Sequence, residues 1–175
     1  GGPATQTDIK CLANAAWQLT YHGKAAHAAL KPEAGRSSLD AMCLAFHGME
    51  CLREHVTDDV RLHYNITDAG GTAANVVPSL TRAQVMVRAN TVKAVKELMV
   101  RLEKIFQGAA MMTETEAKIR LDKVLDNKIP NLRLNDLLMK HARRLQAPNC
   151  QPPRQRTGST DFANVMHRVP GSCIR

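Results

Sequence analysis

Apolar and polar residues alternate along residues 15–22. Ala15, Trp17, Leu19 and Tyr21 share one face, and Ala16, Gln18, Thr20 and His22 share the other. A period of two over this length predicts a half-buried strand. Residues 23–36 break the pattern with two glycines and Pro32, which predicts a loop. Ser37 or Ser38 then caps a helix that places Asp40 in its first turn, near the positive end of the helix dipole. Its apolar positions Leu39, Met42, Phe46 and Met49 carry it to about His55. Val60, Leu62, Tyr64 and Ile66 alternate with Arg61, His63, Asn65 and Thr67, a second strand that Asp68-Ala69-Gly70-Gly71 ends with turn chemistry. A third strand turns Ala83, Val85, Val87 and Ala89 inward. Asn90 or Thr91 caps a second helix, whose stripe is Val92, Val95, Leu98, Met99, Leu102, Ile105 and Phe106, with Gly108 near its end. A last strand sets Ala117, Ile119 and Leu121 against Lys118, Arg120 and Asp122.

The order β-α-β-β-α-β predicts an α+β fold: a split βαβ, ferredoxin-like, four-stranded antiparallel sheet with two helices on one face. It occupies residues 13–124. Residues 125–175 have a different character, with a helix capped by Asn135 and bearing Leu137, Leu138, His141 and Leu145, then a Pro-rich basic stretch. One helix cannot bury a core alone, so this tail reads as the stump of another domain.

Charge and composition narrow the functional classes. The net charge of +8 favours anionic partners. It is dispersed, apart from Arg143, Arg144, Arg154 and Arg156, and aromatics are scarce at 3%, a poor basis for stacking nucleic-acid bases. An RNA-binding sheet would also need exposed rings, whereas Trp17, Tyr21 and Tyr64 fall on the predicted inward faces. No apolar run reaches the roughly 18 residues of a membrane span. Five cysteines without a CxxC pair read as reduced thiols of a cytosolic protein. No nucleic-acid or membrane partner is expected.

Several polar residues stand where a ligand can approach, each with an ordinary alternative. His27, among small neighbours in a loop, can donate to an oxyanion or simply be an exposed loop histidine. The Asn75 carboxamide can hold a carboxylate or bond its own turn, where Gly70 and Gly71 let the backbone bend sharply. Arg88 can clamp a carboxylate in two hydrogen bonds or lie solvated on its strand. Asp161, after Ser159 and Thr160, can be a turn residue. Cys43, His47, Cys51 and His55 step by four along one helix, but a straight helix cannot wrap them around one ion, so a semi-exposed or interface stripe is the plainer reading. His22 and His63 face outward from their strands.

Five collinear blocks carry a resemblance: GKAAHAALKPEAGRSSLDA (23–41), LREHV (52–56), DAGGTAANVVPS (68–79), MVRA (86–89) and TGSTDFANV (157–165). Together they resemble the zinc-dependent aminoacylase/carboxypeptidase family (peptidase family M twenty) and, within it, the aminobenzoyl-glutamate utilisation amidohydrolases. The resemblance implies a lid of β-α-β-β-α-β form, residues 13–124, that drives homodimerisation and is inserted in a catalytic domain, of which residues 125–175 would be a partial segment. It implies that His27 contacts the scissile carbonyl in the partner subunit's site. Asn75, and with it Arg88, would hold the substrate carboxylate. Gly70 and Gly71 would shape that loop, and Ser159, Thr160 and Asp161 would line the cleft. The substrate implied is a small amide beside a free carboxylate: an N-acyl amino acid, a dipeptide or an aminobenzoyl-glutamate. The intact enzyme is expected to hold two zinc-like divalent ions through an HxD segment, a bridging aspartate, a Glu-Glu pair and a late histidine. None of these is expected within residues 1–175, so the chain alone is expected to lack the metals and to be inactive. A stand-alone dimerisation or binding module is the alternative.

Overall fold

The computed structural model describes residues 4–155 and 158–174. Gly1, Gly2, Pro3, Arg156, Thr157 and Arg175 lie outside the described residues. The chain divides into two compact units: Ala15–Arg88 with Lys93–Lys123, and Gly1–Asn14 with Ala89–Val92 and Val124–Arg175.

The first unit carries the expected elements in the expected order: β1 (Ala13–His22), α1 (Ser38–Arg53), β2 (Arg61–Asp68), β3 (Leu80–Ala89), α2 (Val92–Thr113) and β4 (Glu116–Leu125). The strands lie in the order β2-β3-β1-β4, with β2 antiparallel to β3. Their inward residues make the core. Trp17, Leu19, Tyr21, Val85 and Val87 are fully buried, as are Met42 and Met49 of α1 and Val95, Leu102 and Phe106 of α2. The Trp17 and Phe106 rings meet edge to face at 6.5 Å, a favoured aromatic geometry. The Tyr21 hydroxyl donates to the Phe106 carbonyl at 2.9 Å, and burial pushes this phenol well above its usual range. Ser37 caps α1 by accepting the Asp40 N–H at 3.1 Å.

The structure departs from the sequence pattern at several points. Alternation places Tyr64 and Ile66 inside, yet they are 37% and 38% exposed because β2 is an edge strand. Tyr64 is covered on one side only, where it stacks on Phe46 of α1 at 4.0 Å and donates to Glu50 at 2.9 Å. Helix α2 runs five residues beyond Gly108 because Ala109 and Ala110 are buried, and it stops where Glu114 takes a positive φ of 52°.

In the second unit, α3 (Leu132–Arg144) is capped by Asn131, whose side chain accepts the Leu134 N–H at 3.1 Å, and not by Asn135. Asn135 lies inside the helix and is buried, with Ser172 donating to its carboxamide oxygen. The buried face of α3 is Asn135, Met139 and Ala142, while Leu137 and Leu145 are exposed. The N-terminal segment, to which the sequence pattern assigns no element, belongs to this unit through bridges from Thr5 to Cys150, Thr7 to Ile174 and Asp8 to Arg154. Asp8 is its buried charge. Its carboxylate accepts from Lys128 at 3.0 Å and Arg154 at 2.8 Å. Arg154 of the basic cluster is thus an internal ion-pair partner. A short helix, α4 (Phe162–Met166), completes the unit.

Candidate functional site

The two long loops of the sheet unit are tied together at their polar residues. His27 bridges to Val76, the Ala28 N–H donates to the Asn75 carbonyl at 2.9 Å, and the Val77 N–H donates to the Ala26 carbonyl at 2.9 Å. These bonds fix the backbone of residues 26–28 against that of 75–77, so both candidate side chains stand on one stiff edge. A second bridge, Lys24 to Arg36, closes the base of the first loop, and Gly23 donates to Ser79 at 2.8 Å.

The geometry also fixes how His27 can act. Its Nδ1 accepts the Ala29 N–H at 3.3 Å. A nitrogen that accepts cannot carry the proton of the neutral ring, so that proton sits on Nε2. The side chain is exposed, and Nε2–H is left as an outward donor. Asn75 is exposed as well. Only its backbone is engaged by the neighbouring loop, and no hydrogen bond to its carboxamide occurs among the described residues. The turn before it depends on Gly70 and Gly71, with φ of 92° and 115°, which a side chain disfavours. At Gly70 a Cβ would come within 2.7 Å of Pro78 and 2.8 Å of the Leu80 carbonyl oxygen. Leu30, 80% exposed, and Val76, 44% exposed, add apolar surface to the same loops. The sequence pattern does not single them out, because exposure of a loop residue has no periodic signature.

Arg88 stands elsewhere. The Asn75 loop enters β3 at Leu80, and Arg88 lies eight residues along the strand, about 27 Å at the rise of an extended chain. It faces Arg61 across the β2–β3 register, and its Nη2 contacts Met86 Sδ at 3.3 Å. Near it, burial and then the charges of Arg88, Arg53 and Arg61 hold the His63 imidazole below its ordinary value. One chain therefore joins His27 to Asn75 and sets Arg88 apart.

Ser159, Thr160 and Asp161 belong to the second unit, in the turn before α4. Ser159 and Thr160 are half-buried and Asp161 is exposed. The Phe162 N–H donates to Thr160 Oγ1 at 3.4 Å, and Asp161 caps α4 without a side-chain hydrogen bond. Among the described residues no group of three or more His, Cys, Asp or Glu can hold a metal ion. Cys43, His47 and Cys51 are exposed along α1. No helix among the described residues is long and apolar enough to cross a membrane.

The family model described as the peptidase dimerisation domain matches residues 13–112. A p-aminobenzoyl-glutamate hydrolase chain of Escherichia coli (strain K12) is 38% identical over 131 residues, covering 75% of this chain and 27% of that protein. The Xaa-Arg dipeptidase of Mus musculus is 32% identical over 157 residues, covering 87% of this chain and 36% of that one. Both are hydrolases by name, and the chain spans only about a quarter to a third of their length. The crystal structure of an aminobenzoyl-glutamate utilization protein from Klebsiella pneumoniae superimposes with a TM-score of 0.78 at 27% identity, covering 97% of this chain and 44% of that one.

Proposed function

The chain belongs to the peptidase dimerisation-domain family, and from that premise we propose that it is the lid and dimerisation part of a metal-dependent amidohydrolase that cleaves an amide beside a free carboxylate. N-acyl amino acids, dipeptides and aminobenzoyl-glutamate are the substrate class. The observation that carries the reading is the tied pair of loops, which hold the backbones of His27 and Asn75 together on one exposed edge and leave the His27 Nε2–H open. The imidazole donates to the oxygen that gains charge as the amide carbonyl becomes tetrahedral. The carboxamide N–H groups hold the neighbouring carboxylate. Leu30 and Val76 give the substrate's apolar part a surface to lie on.

The residues described here do not fit the two zinc-like ions of the intact enzyme, and in this reading other segments of it hold them. Arg88, set apart from Asn75 within one chain, joins the same carboxylate in this reading only if two chains meet. A homodimer supplies that meeting. Its seam is the β2 edge with the neighbouring face of α1, where Phe46, Tyr64 and Ile66 leave apolar surface uncovered.

The test is kinetic, in the full-length protein that contains this chain. His27→Ala should lower kcat by about 100- to 1,000-fold with a small change in KM, the usual result of losing one oxyanion donor. Asn75→Ala should act mainly by raising KM. An unaltered kcat in the His27 variant removes the imidazole from the reaction.

A further inference from the structure

The side of the sheet turned away from the helices is unevenly charged. Arg61 and Arg88 lie there as a cross-strand pair, and Arg82, Lys118 and Arg120 share that face. Against these five cations the strands set only Asp68, Glu116 and Asp122. Like charges on neighbouring positions of one face disfavour the fold.

Three of the cations converge. Arg82 of β3 and Lys118 and Arg120 of β4, with Gln18, Thr20 and His22 of β1 between them, line an open depression of about 310 Å³. Acids already meet two of the three cations. Asp68 stands 3.8 Å from Arg82 with both side chains nearly half exposed, and Asp122 pairs with Arg120 at 3.0 Å. Lys118 has no salt bridge among the described residues. The spacing suits a chain of linked anionic groups better than a single one. Lys118 and Arg120 leave β4 about 7 Å apart, and Arg82 is two interstrand steps away, about 10 Å. Two guanidinium forks, an ammonium, a hydroxyl and a carboxamide supply many donors, and such forks match phosphate oxygens. No Phe, Tyr or Trp ring lines the depression, so a base would find only the His22 imidazole and the guanidinium planes to stack on.

We propose that this depression binds a small polyanion of the linked-phosphate class. It uses none of His27, Asn75 or Arg88, and it stands whether or not the hydrolase reading does.

The experiment is calorimetric titration of the full chain with inorganic triphosphate, with citrate as a polycarboxylate arm. Lys118→Glu with Arg120→Glu should weaken triphosphate binding by about tenfold or more. Lys140→Glu with Arg143→Glu, exposed on α3, changes net charge equally and should weaken it far less. Should the Glu pair fail to fold by circular dichroism, Lys118→Gln with Arg120→Gln takes its place, with the same order of effect expected. Equal losses in the sheet and helix variants would mean that only the overall +8 charge attracts the anion, and the proposal fails. It fails equally if the unaltered chain does not bind triphosphate at about 1 mM, or if citrate binds as tightly through the same residues.

Discussion

Asp8 is 1% exposed, and it meets two cations, one of them, Lys128, 2% exposed. Burial alone would push this carboxyl up. The hydrogen bonds from Arg154 and Lys128, with their charges, outweigh it and hold the group below its ordinary value. The unfolded chain therefore binds this proton more readily than the folded one. The resulting stabilisation is complete above the ordinary carboxyl value near 4 and drains away as pH falls through the lower, folded value. Asp8→Asn leaves the Lys128 ammonium buried beside a neutral partner and should cost about 3–5 kcal/mol. Adding Lys128→Met should recover most of that loss, measured by urea unfolding at neutral pH. If the single variant is as stable as the parent, the ion pair is not formed in solution. His63 obeys the same logic with the opposite charge. Its imidazole is held down by burial and then by Arg88, Arg53 and Arg61, so the unfolded state takes up its proton first. This contribution is present above about pH 6.5 and is lost as pH falls below it. Arg88→Met should raise the His63 titration midpoint followed by NMR, whereas a fixed midpoint would mean that the two groups do not sense each other.

At the level of elements, the cap of α3 is the sharpest difference between pattern and structure. The Asn131 side chain satisfies the free N–H of Leu134, so Asn131→Ala should destabilise its unit by about 0.5–2 kcal/mol. The measurement is thermal or urea unfolding; a neutral substitution would restore Asn135 as the cap. Two asparagines four apart can each open a helix, and sequence alone does not say which does. The same ambiguity hid the packed face. Leu137 and Leu145 look like the stripe, but Met139 and Ala142 are what the unit buries, because the inward side is set by residues distant in sequence. The sheet was legible for the converse reason. Alternation in β1 and β3 is local, and the buried Trp17, Leu19, Tyr21, Val85 and Val87 follow from it directly. It misled at the two edge strands, which are covered less completely: Tyr64 and Ile66 of β2 and Leu121 of β4 stay partly open. The site divides in the same way. His27 and Asn75 could be marked from loop chemistry and from the resemblance. The hydrogen bonds that tie their loops, from Ala28 to Asn75 and from Val77 to Ala26, join segments nearly fifty residues apart that no local pattern links. The bonds to Asp8 were hidden for the same reason.

For the whole molecule, the question is which sheet edge would meet a second copy. Edge strands invite pairing, and charged side chains discourage it. β4 exposes Glu116, Lys118, Arg120 and Asp122, the usual protection of an edge that stays solvated. β2 exposes Tyr64 and Ile66, beside the Phe46 ring of α1. An isologous contact places the same patch on both sides of a two-fold axis. β2 against its twin would then extend the sheet from four strands to eight while covering the α1 faces that carry Cys43, His47 and Cys51. A single charge at the seam would appear twice across the axis, so its effect on association is doubled. Ile66→Lys should therefore shift the proposed dimer to monomer in sedimentation velocity at micromolar protein. Leu121→Lys, at a comparably exposed position on β4 (47% against 38%), should leave the dimer intact. If Leu121→Lys dissociates the chains while Ile66→Lys does not, the seam lies at β4. In that case β2 no longer explains how Arg88 of one chain would come to the His27 and Asn75 loops of another.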